Sequence, residues 1–516
     1  MLEQENQRLS EHAESLEKAN AELEARADKL QTALDALTRK FFGVSSEKAS
    51  AEQRTDLGLF DEAEQLELEA RQEAPAEQEE TTEEPKQKKS TTRTLRYVDS
   101  SVPQETVVLD IDEQDKQCGC GAELTKIGEE EHKKLDIEPP KIRVIRYVRS
   151  RYACRTCEGS GDEEKPAVRV APPVPSVIPG GFATENTLAF VIASKFADAI
   201  PLYRQEQQFS RIGARISRQT LADWVLASAE ALQPVYEALA RYVRSGPVLL
   251  ADETPVQVLK ESGRKNTTKS FMWAAYGGDP QRPAARFHYA RTRATEHAQE
   301  LVGDYTGLLQ TDGYSGYAKL CRERDDLRHV ACFAHTRRKF VDASAANKKA
   351  GAAEQAIAYI GKLYAIEKNL ASWKRDEKFR AERERLATPV LEAFHDWLEK
   401  KQTTIPETTL VGKAVGYALG QWEQLVRYLE SPHLSPDTNA VESTIRPFAV
   451  GRRNWLFSGS PRGAHASATL YSLVTTAKLN NIEPYRYLRT VLYEIPRLSG
   501  DTDYKELLPQ FITLKP

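Results

Sequence analysis

Two short apolar runs, each delivering an aspartate, restrict the possible folds of this chain more than anything else in it. Val248-Leu249-Leu250-Ala251-Asp252 reads as a buried strand with a carboxylate at its end, and Gly307-Leu308-Leu309-Gln310-Thr311-Asp312-Gly313-Tyr314 repeats the device. Lys269 to Tyr276 and Ala285 to Tyr289 read as two further strands between them, followed by a helix near Glu296 to Val302. His329 to Phe333 supplies a fifth strand. Both aspartates are therefore expected at strand ends that can be neighbours in one sheet. A third acid, Glu442, lies in the helical run Asn439-Ala440-Val441-Glu442-Ser443-Thr444-Ile445-Arg446, facing the same way as Arg446 one turn later. Three carboxylates suit a pair of Mg²⁺ (or Mn²⁺) ions about 4 Å apart, because hard cations take oxygen ligands and keep open positions for phosphate and water.

The preceding sequence has a different texture. Leucines recur every seven residues at Leu2, Leu9, Leu16, Leu23, Leu30 and Leu37, with Asn6 and Asn20 among the intervening seam positions. That pattern favours a parallel two-stranded coiled coil and hence a homodimer, since a buried asparagine is tolerated opposite its twin. The other reading is an amphipathic helix packed on its own body. From Asp61 to Glu84 there are eleven acidic residues against the single base Arg71, a segment that cannot bury a core and reads as a solvated linker. Beyond it, runs such as Thr106 to Leu109 and Arg143 to Val148 have strand character. They are interleaved with two cysteine pairs, Cys118 with Cys120 and Cys154 with Cys157, whose four thiolates could hold one structural Zn²⁺ on a small ribbon-like β unit. One knuckle is C-x-C rather than C-x-x-C, and redox-active thiols are the other reading.

After the Pro-rich bridge from Pro172 to Gly181, helices around Leu188 to Ala197 and Tyr203 to Phe209 are followed by a break at Gly213 and a helix opening near Ser217. Such a pair is compatible with a helix-turn-helix presenting Arg215, Arg218 and Gln219 to a major groove, or with structural packing alone. The net charge of −4 argues against a uniformly basic nucleic-acid coat, so local charge decides. After Glu442 the chain turns basic, with Arg446, Arg452 and Arg453 interleaved with Trp455. Arginines there could grip phosphates, while the indole could stack on an unpaired base or serve the core. No run of 18 or more apolar residues exists, so no membrane partner and a cytoplasmic, nucleoid-associated location are expected.

Three strands, a helix, a second aspartate-bearing strand and a later acidic helix follow the order of a ribonuclease H-like nuclease core. The motifs Ala251-Asp252-Glu253-Thr254-Pro255, Thr311-Asp312-Gly313-Tyr314 and Cys332-Phe333-Ala334-His335 through Lys339-Phe340 carry a closer resemblance, as does Asn439-Ala440-Val441-Glu442 through Arg446-Pro447-Phe448 to Gly451-Arg452-Arg453-Asn454-Trp455-Leu456-Phe457. By these the chain resembles a transposase of the insertion sequence 66 family, within the acidic-triad group. The resemblance implies that Asp252, Asp312 and Glu442 hold the catalytic metal. It implies DNA partners, both element ends and target, and accessory proteins encoded by the element. Glu253 ranks second, because strand alternation should send it to the opposite face. Cys332 and His335 resemble the C-x-x-H element of several acidic-triad transposases, and a structural role near the site is expected, two ligands being too few for a metal.

The expected organisation is a coiled coil (1–43), an acidic linker (44–94), a zinc-ribbon-like unit (95–171) and a helical region (172–245). An α/β ribonuclease H-like core follows in two parts (246–345 and 431–495), interrupted by an α-helical insertion (346–430), with a tail at 496–516. The expected reaction is metal-dependent phosphodiester cleavage and strand transfer. A nuclease of the same fold that cuts without joining, and a DNA-binding regulator with a spent core, are the alternatives.

Overall fold

The computed structural model describes residues 141–153, 168–346, 351–498 and 503–514. The heptad segment, the acidic linker, the Thr106–Leu109 run and Cys118, Cys120, Cys154 and Cys157 lie outside the described residues.

Two short strands come first, β1 (Arg151–Ala153) and β2 (Val168–Val170), paired antiparallel. The expected strand over Arg143 to Val148 is not one. Val144 is 94% exposed there, and β-branched and aromatic residues make a strand only when a partner satisfies their backbone groups. Four helices follow: α1 (Glu185–Phe196), α2 (Leu202–Arg211), α3 (Arg218–Ala231) and α4 (Gln233–Val243). The α2–α3 turn contains Gly213 at φ +96°, which a residue with a Cβ adopts only under strain, and Ser217 caps α3 by accepting from Thr220 N.

A five-stranded mixed sheet carries the rest. Strands β3 (Val248–Gln257), β4 (Lys269–Asp279) and β5 (Arg282–Ala290) form an antiparallel meander. Helix α5 (Thr295–Val302) crosses over to β6 (Gly307–Gln310), which runs parallel to β3, and α6 (Ser315–Glu323) leads to β7 (Leu327–Val330), parallel to β6. The spatial order is β5-β4-β3-β6-β7. The fifth strand ends before Phe333, which instead opens helix α7 (Phe333–Ala345).

β3 also outruns its expected end at Asp252 by five residues, through Pro255. Proline is tolerated because β6 stops pairing at Leu250, so on that side β3 has no partner until Ser458, whose N–H donates to Gln257 O at 2.9 Å.

From α7 the chain passes into an all-helical insertion: α8 (Ala352–Asn369), α9 (Glu377–Thr404), α10 (Leu410–Gly420), α11 (Trp422–Val426) and a 3₁₀ turn, Arg427–Glu430. Its interior is aromatic, with Tyr359 stacked on Phe394 at 5.3 Å and Trp422 edge-on to Phe394 at 5.7 Å. The chain then returns to the sheet through α12 (Asn439–Trp455), α13 (Pro461–Leu479) and α14 (Pro484–Glu494). α12 lies on β3 and β4, where its Phe448 is fully buried against Tyr471 and Phe287. α13 covers the outer edge of β5: Ser472 Oγ accepts from Phe287 N at 2.7 Å and Thr476 Oγ1 from Ala285 N at 3.1 Å. Helix hydroxyls thus satisfy an edge that would otherwise be open to another strand. On the other face, Tyr317 of α6 meets Trp273 of β4 edge-on at 5.7 Å. Among the described residues no helix is long and apolar enough to cross a membrane.

Candidate active site

The parallel pairing of β3 with β6 fixes how the two aspartates meet. Val248, Leu249 and Leu250 align with Leu308, Leu309 and Gln310, so continuing that register by two residues brings Asp252 level with Asp312. β6 has ended by then, and its terminus splays into a turn in which Asp312 Oδ1 accepts from Tyr314 N at 2.9 Å. Gly313 beside it leaves room for the Tyr417 hydroxyl of α10, which a Cβ there would displace.

Glu442 arrives from the first turn of α12, where its amide donates to Thr438 O and its Oε1 accepts from the Thr438 hydroxyl at 2.9 Å. The three acids share one electrostatic environment. Burial pushes the Asp252 carboxyl well above the usual carboxylate range, and the negative charges of Glu253, Glu442 and Asp312 push it further. Asp312 and Glu442 each keep about 19% of the side chain exposed, so the cluster opens to solvent on one side.

Repulsion among hard oxygen donors is what a divalent cation relieves, and three carboxylates with no thiolate among them are the donor type such an ion takes. Asp252, Asp312 and Glu442 would hold it.

Glu253 does point to the other face, as alternation requires. Its side chain is 1% exposed, it accepts from the Tyr317 hydroxyl of α6 at 2.8 Å, and it is ion-paired with Arg293. Arg293 carries no sequence signal and was missed by sequence reasoning. It lies between Glu253 and Asp312, its Nη2 3.6 Å from Asp312 Oδ2, with its guanidinium 3.8 Å above the Tyr314 ring.

Cys332 and His335 stand behind Glu442. Buried Cys332 lies 3.3 Å from the Thr438 hydroxyl and accepts from Thr438 N, and burial, then the charges of Asp437 and Glu442, pushes its thiol up to about 12. His335 Nδ1 is buried 3.8 Å from Glu442 Oε1. Ligand atoms of Cys332, His335 and Glu442 lie within 4.8 Å of one another, so the fold brings a third donor to the C-x-x-H pair that the sequence spacing alone did not offer.

The segment leading to α12 is fastened by the helical insertion. Arg383 of α9 is fully buried and donates to the carbonyls of Leu434, Tyr428 and Ser431 at 2.8, 2.8 and 2.5 Å, with Glu367 as its counter-charge at 3.6 Å. Sequence reasoning missed Arg383 too, a basic residue on a charged helix being an unremarkable pattern.

The basic residues after Glu442 divide. Arg446 is half-buried and Arg453 exposed. Arg452 reaches Thr254 Oγ1 at 3.2 Å, two residues along β3 from Asp252. Trp455 is half-buried, edge-on to Phe448 at 5.4 Å with Lys195 5.5 Å from its ring, a packed position. Arg215, Arg218 and Gln219 are all exposed at the α2–α3 turn, where Gln219 Nε2 donates to Asp223 at 2.9 Å.

Fold and site together define an α/β protein whose central sheet and a returning helix gather carboxylates into one open cluster. Residues 180–466 match the model of the transposase IS66 family, 115–158 its zinc-finger binding domain and 472–510 its C-terminal element. The chain belongs to the IS66 transposase family. All four paired cysteines fall inside the zinc-finger match, which supports a zinc site there. Similar curated proteins are uncharacterized ones from Sinorhizobium fredii (strain NBRC 101917 / NGR234). Protein y4jD is 33% identical over 432 residues, covering 81% of this chain and 82% of its own length, and y4qI is 31% identical over 402 residues, covering 75% and 72%.

Proposed function

We propose that the chain is a DNA transposase that cleaves phosphodiesters at element ends and joins the freed 3′-hydroxyl to target DNA, with Asp252, Asp312 and Glu442 as its metal-binding triad. One observation carries this reading: Asp252 on β3 and Asp312 in the turn just past the end of the adjacent parallel β6, level with each other in the continued register, joined by a helix-borne glutamate whose charge Asp252 feels. The strand order β5-β4-β3-β6-β7, with three antiparallel strands followed by two parallel ones, supports a ribonuclease H-like core, and α8 to α11 supports its helical insertion.

Bound divalent metal would activate the attacking oxygen and neutralise charge on the phosphate in both displacements. The protein's own part is positioning. The turn at Asp312 and the Thr438 bond to Glu442 hold two carboxylates in fixed orientation, and the repulsion that Asp252 feels from the neighbouring acids favours a bound cation beside it. Arg452, on the β3–α12 side, and the exposed Arg453 beside it in α12 suit phosphates of the bound strand. The exposed residues Arg215, Arg218 and Gln219 suit sequence reading at the ends. A coiled-coil homodimer, one structural Zn²⁺ on Cys118, Cys120, Cys154 and Cys157, and element-encoded accessory proteins complete the proposal.

Incubating the purified chain with labelled element ends, plasmid and Mn²⁺ tests it. Wild type should nick the ends and form joined products, whereas Asp252→Asn, Asp312→Asn and Glu442→Gln should lose both while still shifting end DNA on a gel. Undiminished cutting by Asp312→Asn would remove that residue from the mechanism, and cutting without joining would favour a nuclease.

A further inference from the structure

We propose that His288, His297 and Glu300 form a second, independent cation site, binding a borderline-soft divalent ion of the zinc class and pinning β5 to α5. His288 projects from β5, while His297 and Glu300 sit at i and i+3 on one face of α5. Glu300 Oε2 lies 3.0 Å from His288 Nε2 and 3.1 Å from His297 Nδ1, and the three donor atoms all fall within 4.8 Å of one another. Neighbouring ligands around an ion with bonds of about 2.0–2.1 Å are separated by roughly 2.9–3.4 Å, so the two measured separations already match a coordination edge.

Two imidazoles and a carboxylate are also the donor mixture that imidazole-preferring metals select over Mg²⁺. Burial and the neighbouring Arg286 charge push His288 down to about 4, so its ring is neutral, with a lone pair to give, at physiological pH. Arg286 is itself engaged, donating to the carbonyls of Glu300 and Leu301 at the end of α5. The cluster borders a cavity of about 550 Å³ also lined by Arg241, Arg244 and His465, which leaves room for water to complete the ion's coordination.

The consequence reaches the carboxylate cluster through the chain. The connection between β5 and α5 is residues 291–294, and it contains Arg293, which touches Glu253 and Asp312. An ion bonded to both ends of that connection would fix it, whatever reaction the cluster performs.

The full chain, loaded with Zn²⁺ and freed of loosely held ion by a brief chelator wash, provides the test. Elemental analysis should find one equivalent less zinc in the His288→Ala/His297→Ala double variant, and in Glu300→Gln, than in wild type. Equal zinc in all three would overturn the site. A second measurement needs no variant and so is immune to misfolding: acylation of His288 and His297 by diethyl pyrocarbonate, followed by peptide mass spectrometry. At least fivefold protection of both rings by added Zn²⁺, and none by Mg²⁺, is expected. Unchanged labelling would show that the three side chains are only hydrogen-bonded to one another.

Discussion

Replacing Asp252 by asparagine should stabilise the metal-free protein and destabilise the metal-loaded one. In the native state this carboxyl is half-buried beside three other acids, and its pKa is held well above that of the unfolded chain. At neutral pH the native state therefore carries a penalty of about 1.4 kcal/mol for every pH unit separating the two values. Asparagine removes the charge and keeps the one hydrogen bond the side chain makes, since its oxygen can still accept from Glu253 N, which lies 2.8 Å from Asp252 Oδ1. At roughly 2 °C per kcal/mol for a core of this size, the variant should melt a few degrees higher in EDTA.

The sign follows from the direction of the shift. A raised carboxyl costs nothing at acid pH, where both states are protonated, so the advantage of the variant should vanish there and grow as pH rises past the ordinary carboxylate range. Saturating Mg²⁺ should reverse the order. A ligand at a hundred times its Kd adds about 2.7 kcal/mol to wild type and much less to a variant short of one oxygen ligand. Differential scanning fluorimetry with and without metal, across pH, reads both effects. A variant less stable than wild type in EDTA, or one with the same metal-induced shift, would refute the reasoning.

Other outcomes follow from the same geometry. Arg293→Ala leaves the buried Glu253 without its cation and should cost about 2–3 kcal/mol in urea melts, discounted for a guanidinium that is 40% exposed, and Glu253→Gln in the same chain should restore most of the loss. Arg383→Met strips three buried carbonyls and Glu367 of their partner, and should cost roughly 3–5 kcal/mol while lowering metal affinity through Glu442. Phe448→Ala should cost about 3–5 kcal/mol, because a fully buried ring between α12 and the sheet is lost. Affinity for Mn²⁺, followed by calorimetry, should fall as pH is lowered through the raised Asp252 value, at a higher pH than an ordinary carboxylate would give.

The sheet was legible where burial imposes a pattern. Val248 to Ala251 and Leu308 to Leu309 are apolar because neighbouring strands flank them and helices cover them, and that pressure is visible in one dimension. Where no partner imposes it, composition misleads: Arg143 to Val148 is rich in β-branched and aromatic residues and is no strand. The extension of β3 through Pro255 was illegible for a related reason, since proline is excluded only if β6 continues alongside, and β6 stops at Gln310. In the candidate site, the acids stand in motifs that read from sequence. Arg293, Arg383 and Thr438 do not, because each acts on a partner brought to it by the fold and looks locally like a loop, surface or capping residue.

Anomalous scattering from crystals soaked in Mn²⁺ addresses the central claim most directly. The account predicts density within coordination distance of carboxylate oxygens from Asp252, Asp312 and Glu442 together, lost on Asp312→Asn substitution. Manganese bound elsewhere, with those three side chains left uncoordinated under saturating ion, would contradict it.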